Sequence, residues 1–94
     1  MRKYELLYVL TPTLNEDGIK EMNERIQNLI SDNASDVSTD EWGMRQLAYE
    51  IEDQREGYYV IVTFSSTPEF PKELERNLRI NDKVLRFLVT RAHE

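Results

Sequence analysis

The sequence predicts an α+β fold: a four-stranded antiparallel sheet with two helices on one face. Three observations carry that expectation. Strand-like runs rich in Tyr, Val, Ile and Leu lie near both ends and in the middle; two stretches repeat apolar residues at helical spacing; and polar or proline-containing breaks put these elements in the order β-α-β-β-α-β. With right-handed crossovers that order closes as the ferredoxin-like split β-α-β, strand order 4-1-3-2. The 94 residues fit a single domain, 1–94, built on one core.

The first strand is expected over residues 4–10, closed by Thr11-Pro12, because proline donates no ladder hydrogen bond and biases its predecessor toward extended geometry. A helix then begins. Thr13 and Glu16 have capping-box spacing, Asn15 is an alternative cap, and Glu16 and Asp17 suit the positive end of the helix dipole. Ile19, Met22, Ile26, Leu29 and Ile30 form one apolar stripe that ends near Asp32-Asn33.

Residues 37–51 read as a second strand in which Leu47, Tyr49 and Ile51 alternate on one side and Gly43 marks a bulge or bend. Gln54-Arg55-Glu56-Gly57 is polar and ends in glycine, so it is expected to turn the chain into a third strand over residues 58–64. Thr67-Pro68-Glu69 supplies a cap, a first-position proline and an early acid for a second helix carrying Phe70, Leu74 and Leu78, with Pro71 tolerable in its first turn. Asn81-Asp82 turns the chain into a last strand over residues 84–90.

Strand periodicity assigns the faces. Tyr4, Leu6, Tyr8 and Leu10, Val60, Val62 and Phe64, and Leu85, Phe87 and Val89 are expected to face the helices. The opposite face then carries Leu7, Val9, Tyr59, Ile61 and Leu88, with Glu5, Thr63, Arg86 and Thr90. An antiparallel sheet with one solvated face normally shows polar residues there, so this surface is expected to be covered by a partner.

Charge and composition exclude several functions. The net charge of −6 and the pI near 4.8 argue against a chain that grips nucleic acid by itself. The cations are unevenly placed, however: Arg2, Lys3, Arg45, Arg79, Lys83, Arg86 and Arg91 lie near strand ends or on strands, while Glu16, Asp17, Glu21 and Glu24 gather on the first helix. Cysteine is absent and the one histidine, His93, stands beside the C-terminus, where it reads as a solvated tail residue. Nothing supplies a nucleophile with its base, a metal set or a calcium loop, so no enzyme, cofactor, metal or small-molecule substrate is expected. No long uncharged apolar run or signal peptide is present, which points to a cytoplasmic protein away from membranes. Gly57-Tyr58-Tyr59-Val60-Ile61-Val62-Thr63-Phe64 partly matches the third strand of RNA-recognition-motif domains, but Glu56 stands where a basic residue is expected and Tyr59 where a small one is. A stand-alone module of that kind, or a small-molecule regulatory domain, is the alternative reading.

Gly43-Met44-Arg45-Gln46-Leu47-Ala48-Tyr49-Glu50-Ile51 closely resembles the signature of the sixth protein of the bacterial 30S ribosomal subunit. Met1-Arg2-Lys3-Tyr4-Glu5, Glu56-Gly57-Tyr58-Tyr59 and the run from Leu78 through Ile80, Asn81 and Asp82 to Arg86 resemble the same family, collinearly along nearly the whole chain. Glu52 departs from it, where the signature usually has a basic or small residue. The resemblance implies a structural constituent of the 30S subunit in translation, binding the central domain of 16S rRNA. It also implies a heterodimer with the small, basic eighteenth protein of that subunit, which would supply the cations this chain lacks. On that basis Arg2, Lys3 and Arg45, then Arg79, Lys83, Arg86 and Arg91, are expected RNA-phosphate contacts. Leu7, Val9, Tyr59, Ile61 and Leu88 are the expected protein-docking face.

Overall fold

The computed structural model describes residues 1–92, so the expectation for His93 lies outside the described residues. Its elements run β1 (Arg2–Leu10), α1 (Glu16–Asn33), β2 (Ser35–Ile51), β3 (Gln54–Ser66), α2 (Phe70–Arg79) and β4 (Val84–Arg91). The strands form one sheet in the order β2-β3-β1-β4 with antiparallel neighbours throughout, the ferredoxin-like arrangement.

The core lies between the sheet and the helices. Leu6, Tyr8 and Leu10 of β1 and Val60, Val62 and Phe64 of β3 are fully buried there. Met22, Ile26 and Ile30 of α1, with Phe70, Leu74 and Leu78 of α2, close it from the other side. Each such side chain withdrawn from water contributes about 1.5–3 kcal/mol, so the two stripes suffice to hold both helices on one face. Phe64 is the aromatic hinge of the packing, stacked on Tyr4 and meeting Phe70 edge-on at 5.7 Å.

Asn15, rather than Thr13, caps α1, its Oδ1 accepting from the Gly18 amide at 2.7 Å. Thr13 is tied back to Thr11 instead. Helix α2 begins at Phe70, two residues after Pro68, because Thr67 through Phe70 form a turn in which the Thr67 carbonyl accepts from the Phe70 amide. Pro71 falls in the first helical turn, where no amide proton is needed.

The α2 start is thus corrected, its N-cap being Glu69 rather than Thr67 and its first-turn proline Pro71 rather than Pro68, and three further expectations are corrected. The hairpin turn is Glu52-Asp53, not residues 54–57: Ile51 pairs with Gln54, and both turn residues have positive φ (50° and 66°), as a two-residue type I′ turn requires. Residues 54–56 are polar because their part of the strand projects past the end of β1, not because they bend. Second, Leu85 does not continue the inward row of β4. A register shift sets Val9 opposite Arg86 and Leu10 opposite Val84, so Val84 joins Phe87 and Val89 against the core. Third, Val9 is 1% exposed although it belongs to the outer face.

One buried polar residue interrupts the apolar stripe of α1. Asn23 is 5% exposed, accepts from the Tyr8 hydroxyl at 2.7 Å, and donates to Glu41 Oε1 on β2 at 2.9 Å. Tyr58 donates to the same oxygen at 3.3 Å. Burial pushes the Tyr8 hydroxyl well above the usual phenol range, and burial together with the Glu41 carboxylate raises Tyr58. The chain of bonds ties the outermost strand to α1. Asn23→Ala should strand the Tyr8 hydroxyl and free β2 from the helix; a loss of about 1–2 kcal/mol is expected in denaturant unfolding. That is the low end for a buried unsatisfied group, since the groove beside Asn23 lets water in.

Candidate docking face and its basic rim

Pairing register defines the face away from the helices. Leu7 stands opposite Ile61 on β3 and opposite Leu88 on β4, while Val9 stands between Tyr59 and Arg86. Leu7, Ile61 and Tyr59 are half-buried and Leu88 is 50% exposed, so four apolar side chains share one accessible patch. The sequence placed all five expected residues on this face.

Val9 is withdrawn from solvent by the chain itself. A Cβ on Gly57 would stand 2.3 Å from Val9 Cγ1 and 3.5 Å from Leu47 Cδ2, so Val9, Leu47 and the Gly57 backbone meet at one point. Arg45 pairs with Gly57, and beyond that pair β2 and β3 continue as a two-stranded arm past the end of β1. The arm curls back over the outer face, because Arg86 of β4 donates to the Tyr49 hydroxyl of β2 at 3.4 Å across the two intervening strands. Periodicity assigns Leu47 and Tyr49 to one side of a strand; it does not report that the strand folds over its neighbours.

The expected RNA contacts divide into groups. Arg2, Lys3 and Arg91 gather at one end of the sheet, where Tyr4 pairs with Arg91 and the Lys3 carbonyl accepts from the Ala92 amide. At the other end Arg45 and Arg86 flank the curled arm, and Lys83 lies in the loop whose carbonyl accepts from the Thr11 amide at 2.9 Å. All of these are exposed. Arg79 is set apart on the last turn of α2, 3.9 Å from Glu75. There it also compensates the negative helix end.

The bulge at Gly43, with φ +80° and a register shift between Glu41 and Gly43, exposes a residue that sequence reasoning passed over. Trp42 is the extra residue and is 47% exposed. Its Nε1 donates to Asp40 Oδ2 at 2.9 Å, and the Arg45 guanidinium lies 5.7 Å from its ring centroid while Arg45 Nε donates to the Trp42 carbonyl. An aromatic immediately before a bulge glycine was the available signal.

An apolar sheet face with a rim of cations, carried on a ferredoxin-like fold, has the makings of a binding surface. Comparison with known proteins gives its kind. The family profile of Ribosomal protein S6 matches residues 3–91. Over alignments of 95 positions that cover the whole of both chains, the sequence is 48% identical to the small ribosomal subunit protein bS6 of Caldanaerobacter subterraneus subsp. tengcongensis and 46% identical to that of Thermoanaerobacter pseudethanolicus. Its structure is similar to the crystal structure of 30S ribosomal protein S6 from Thermotoga maritima, with a TM-score of 0.88 and 26% identity, over 97% of this chain and 87% of that one. The chain belongs to the ribosomal protein S6 family. It is therefore a structural, non-enzymatic component of the small subunit of the cytoplasmic ribosome.

Proposed function

We propose that the chain, acting as one ferredoxin-like domain, binds the central domain of 16S rRNA as a heterodimer with the basic eighteenth small-subunit protein during 30S assembly. The supporting observation is the contiguous patch formed by Leu7, Ile61, Tyr59 and Leu88, with Leu7 in register with both Ile61 and Leu88. An apolar surface of that kind on a chain of net charge −6 suits a cationic protein partner, whose approach the charge steers. The partner brings the cations, and Arg2, Lys3 and Arg91 at one end and Arg45, Lys83 and Arg86 at the other extend them. Contacts of this type hold register on phosphates and leave base reading to few positions.

Mixing tests the proposal. The purified chain alone should not bind a central-domain rRNA fragment at physiological salt, and the chain with its partner should. Binding by the chain alone would favour the RNA-recognition-like reading and sink the partner-dependent one. Within the heterodimer, Arg45→Ala should weaken RNA binding and reduce the slope of log affinity against log salt by about 1, the share of one phosphate. An unaltered slope would remove Arg45 from the phosphate contacts.

A further inference from the structure

Trp42, Asp40 and Arg45 form an arrangement that structural support does not require. Trp42 is the single tryptophan of the chain and is 47% exposed, on an edge strand of the sheet. The bulge swings it out of the regular alternation, and its one polar atom is already satisfied by Asp40. What the indole offers outward is therefore a π surface. Arg45 lies over the ring and forms no ion pair among the described residues, so its terminal amino groups remain free beside the aromatic plane. Beside them the backbone is open: nothing lies within 4 Å of the position a Cβ would take on Gly43.

From this geometry we infer that Trp42 is a stacking platform for an unpaired RNA base, with Arg45 placed to hold that nucleotide's phosphate. The inference rests on the RNA-binding reading above and adds a subsite to it. An oriented aromatic face beside an unpaired guanidinium is how single-stranded nucleic acid is held: the ring takes the base, whichever base it is, and the cation takes the backbone. Charge decides against the other occupant. A basic protein partner seated over Trp42 would meet the uncompensated Arg45 cation, and like charges brought together at an interface oppose binding. The Asp40 carboxylate at the indole N–H edge restricts the phosphate to the Arg45 side of the ring.

Because Trp42 is the only tryptophan, its emission reports this site if the partner carries none, or once any tryptophan in the partner has been replaced by phenylalanine. Adding the partner protein should change the emission little, and adding the central-domain rRNA fragment to the heterodimer should quench it at least about two-fold. Trp42→Phe should retain most RNA affinity and Trp42→Ala should lose on the order of 10-fold, the usual range for one base stacked on an aromatic residue. Both variants should form the heterodimer with unchanged affinity. Quenching at the partner step would place Trp42 in the protein interface and overturn the platform. So would tight RNA binding by Trp42→Ala together with an unquenched signal, and in that case the heterodimer's RNA binding itself would stand. If the unsubstituted heterodimer bound no RNA at all, the broader reading would fall and the platform with it.

Discussion

Ile61→Asp is expected to lower affinity for the basic partner by at least about 100-fold, equivalent to about 2.7 kcal/mol. Ile61 occupies the middle of the apolar patch, opposite Leu7 on one side and Asp40 on the other. A carboxylate pressed against the aliphatic surface of a partner loses water without gaining a hydrogen-bonded counter-charge, which costs several kcal/mol. In the free chain the same carboxylate stays hydrated, because the face is open. Its neighbour Asp40 adds a cross-strand repulsion of about 0.2–1 kcal/mol, so folding is weakened modestly and partner binding severely. Calorimetric titration separates the two effects when thermal unfolding is recorded alongside. Unchanged partner affinity with an intact fold would remove the sheet face from the interface.

The accessibility of that face and the burial of Val9 show where sequence reasoning is sufficient and where it stops. Alternation alone assigned Leu7, Val9, Tyr59, Ile61 and Leu88 to one side, because a strand has only two sides and β1 must bury Leu6, Tyr8 and Leu10. Element order gave the sheet topology for a similar reason: few right-handed closures exist for six such elements. Exposure is a different quantity. It depends on how far β2 and β3 run beyond the sheet and on the curl that brings Tyr49 to Arg86, neither of which leaves a periodic trace. The register shift in β4 is equally silent, and it is what exchanged Leu85 for Val84.

The polar features were less legible than the apolar ones. Asn23 reads as an ordinary solvated helix residue until Tyr8 and Glu41 are placed around it by two other elements, β1 and β2. Trp42 reads as part of an ambiguous segment until the bulge sets it apart from the ladder. The run beginning at Gly43, which contains Arg45, carries the resemblance to the S6 family, and family membership carries the ribosomal role. Periodicity does not distinguish a docking face for a protein from one for RNA; the net charge of −6 is what supports the proposed cationic partner.

Gly57→Ala should be the most damaging small substitution in the molecule, with about 3 kcal/mol lost in denaturant unfolding, the upper part of the usual overpacking range. Sequence reasoning takes Gly57 as the end of a turn, and a turn glycine with negative φ would tolerate alanine. Its actual role is close packing. It lies in β3 opposite Arg45, and the hydrogen in place of a side chain is what admits Val9 Cγ1, which a Cβ would meet at 2.3 Å. Backbone is nearby as well, with the Leu10 carbonyl oxygen 3.5 Å from that position, so relief must come from Val9 or from movement of the whole arm. Two consequences separate this account from a simple strand-propensity effect, which would favour alanine over glycine. Val9→Ala alone should cost about 1–2 kcal/mol for its lost methyl groups, yet the double variant should be more stable than the two single losses added together by over about 1 kcal/mol. And because the displaced arm carries Tyr49 away from Arg86, Gly57→Ala should also loosen amide-exchange protection over residues 45–56 more than over α1. Additive losses would show that Gly57 and Val9 do not share the contact, and that the arm is held over the face by something else.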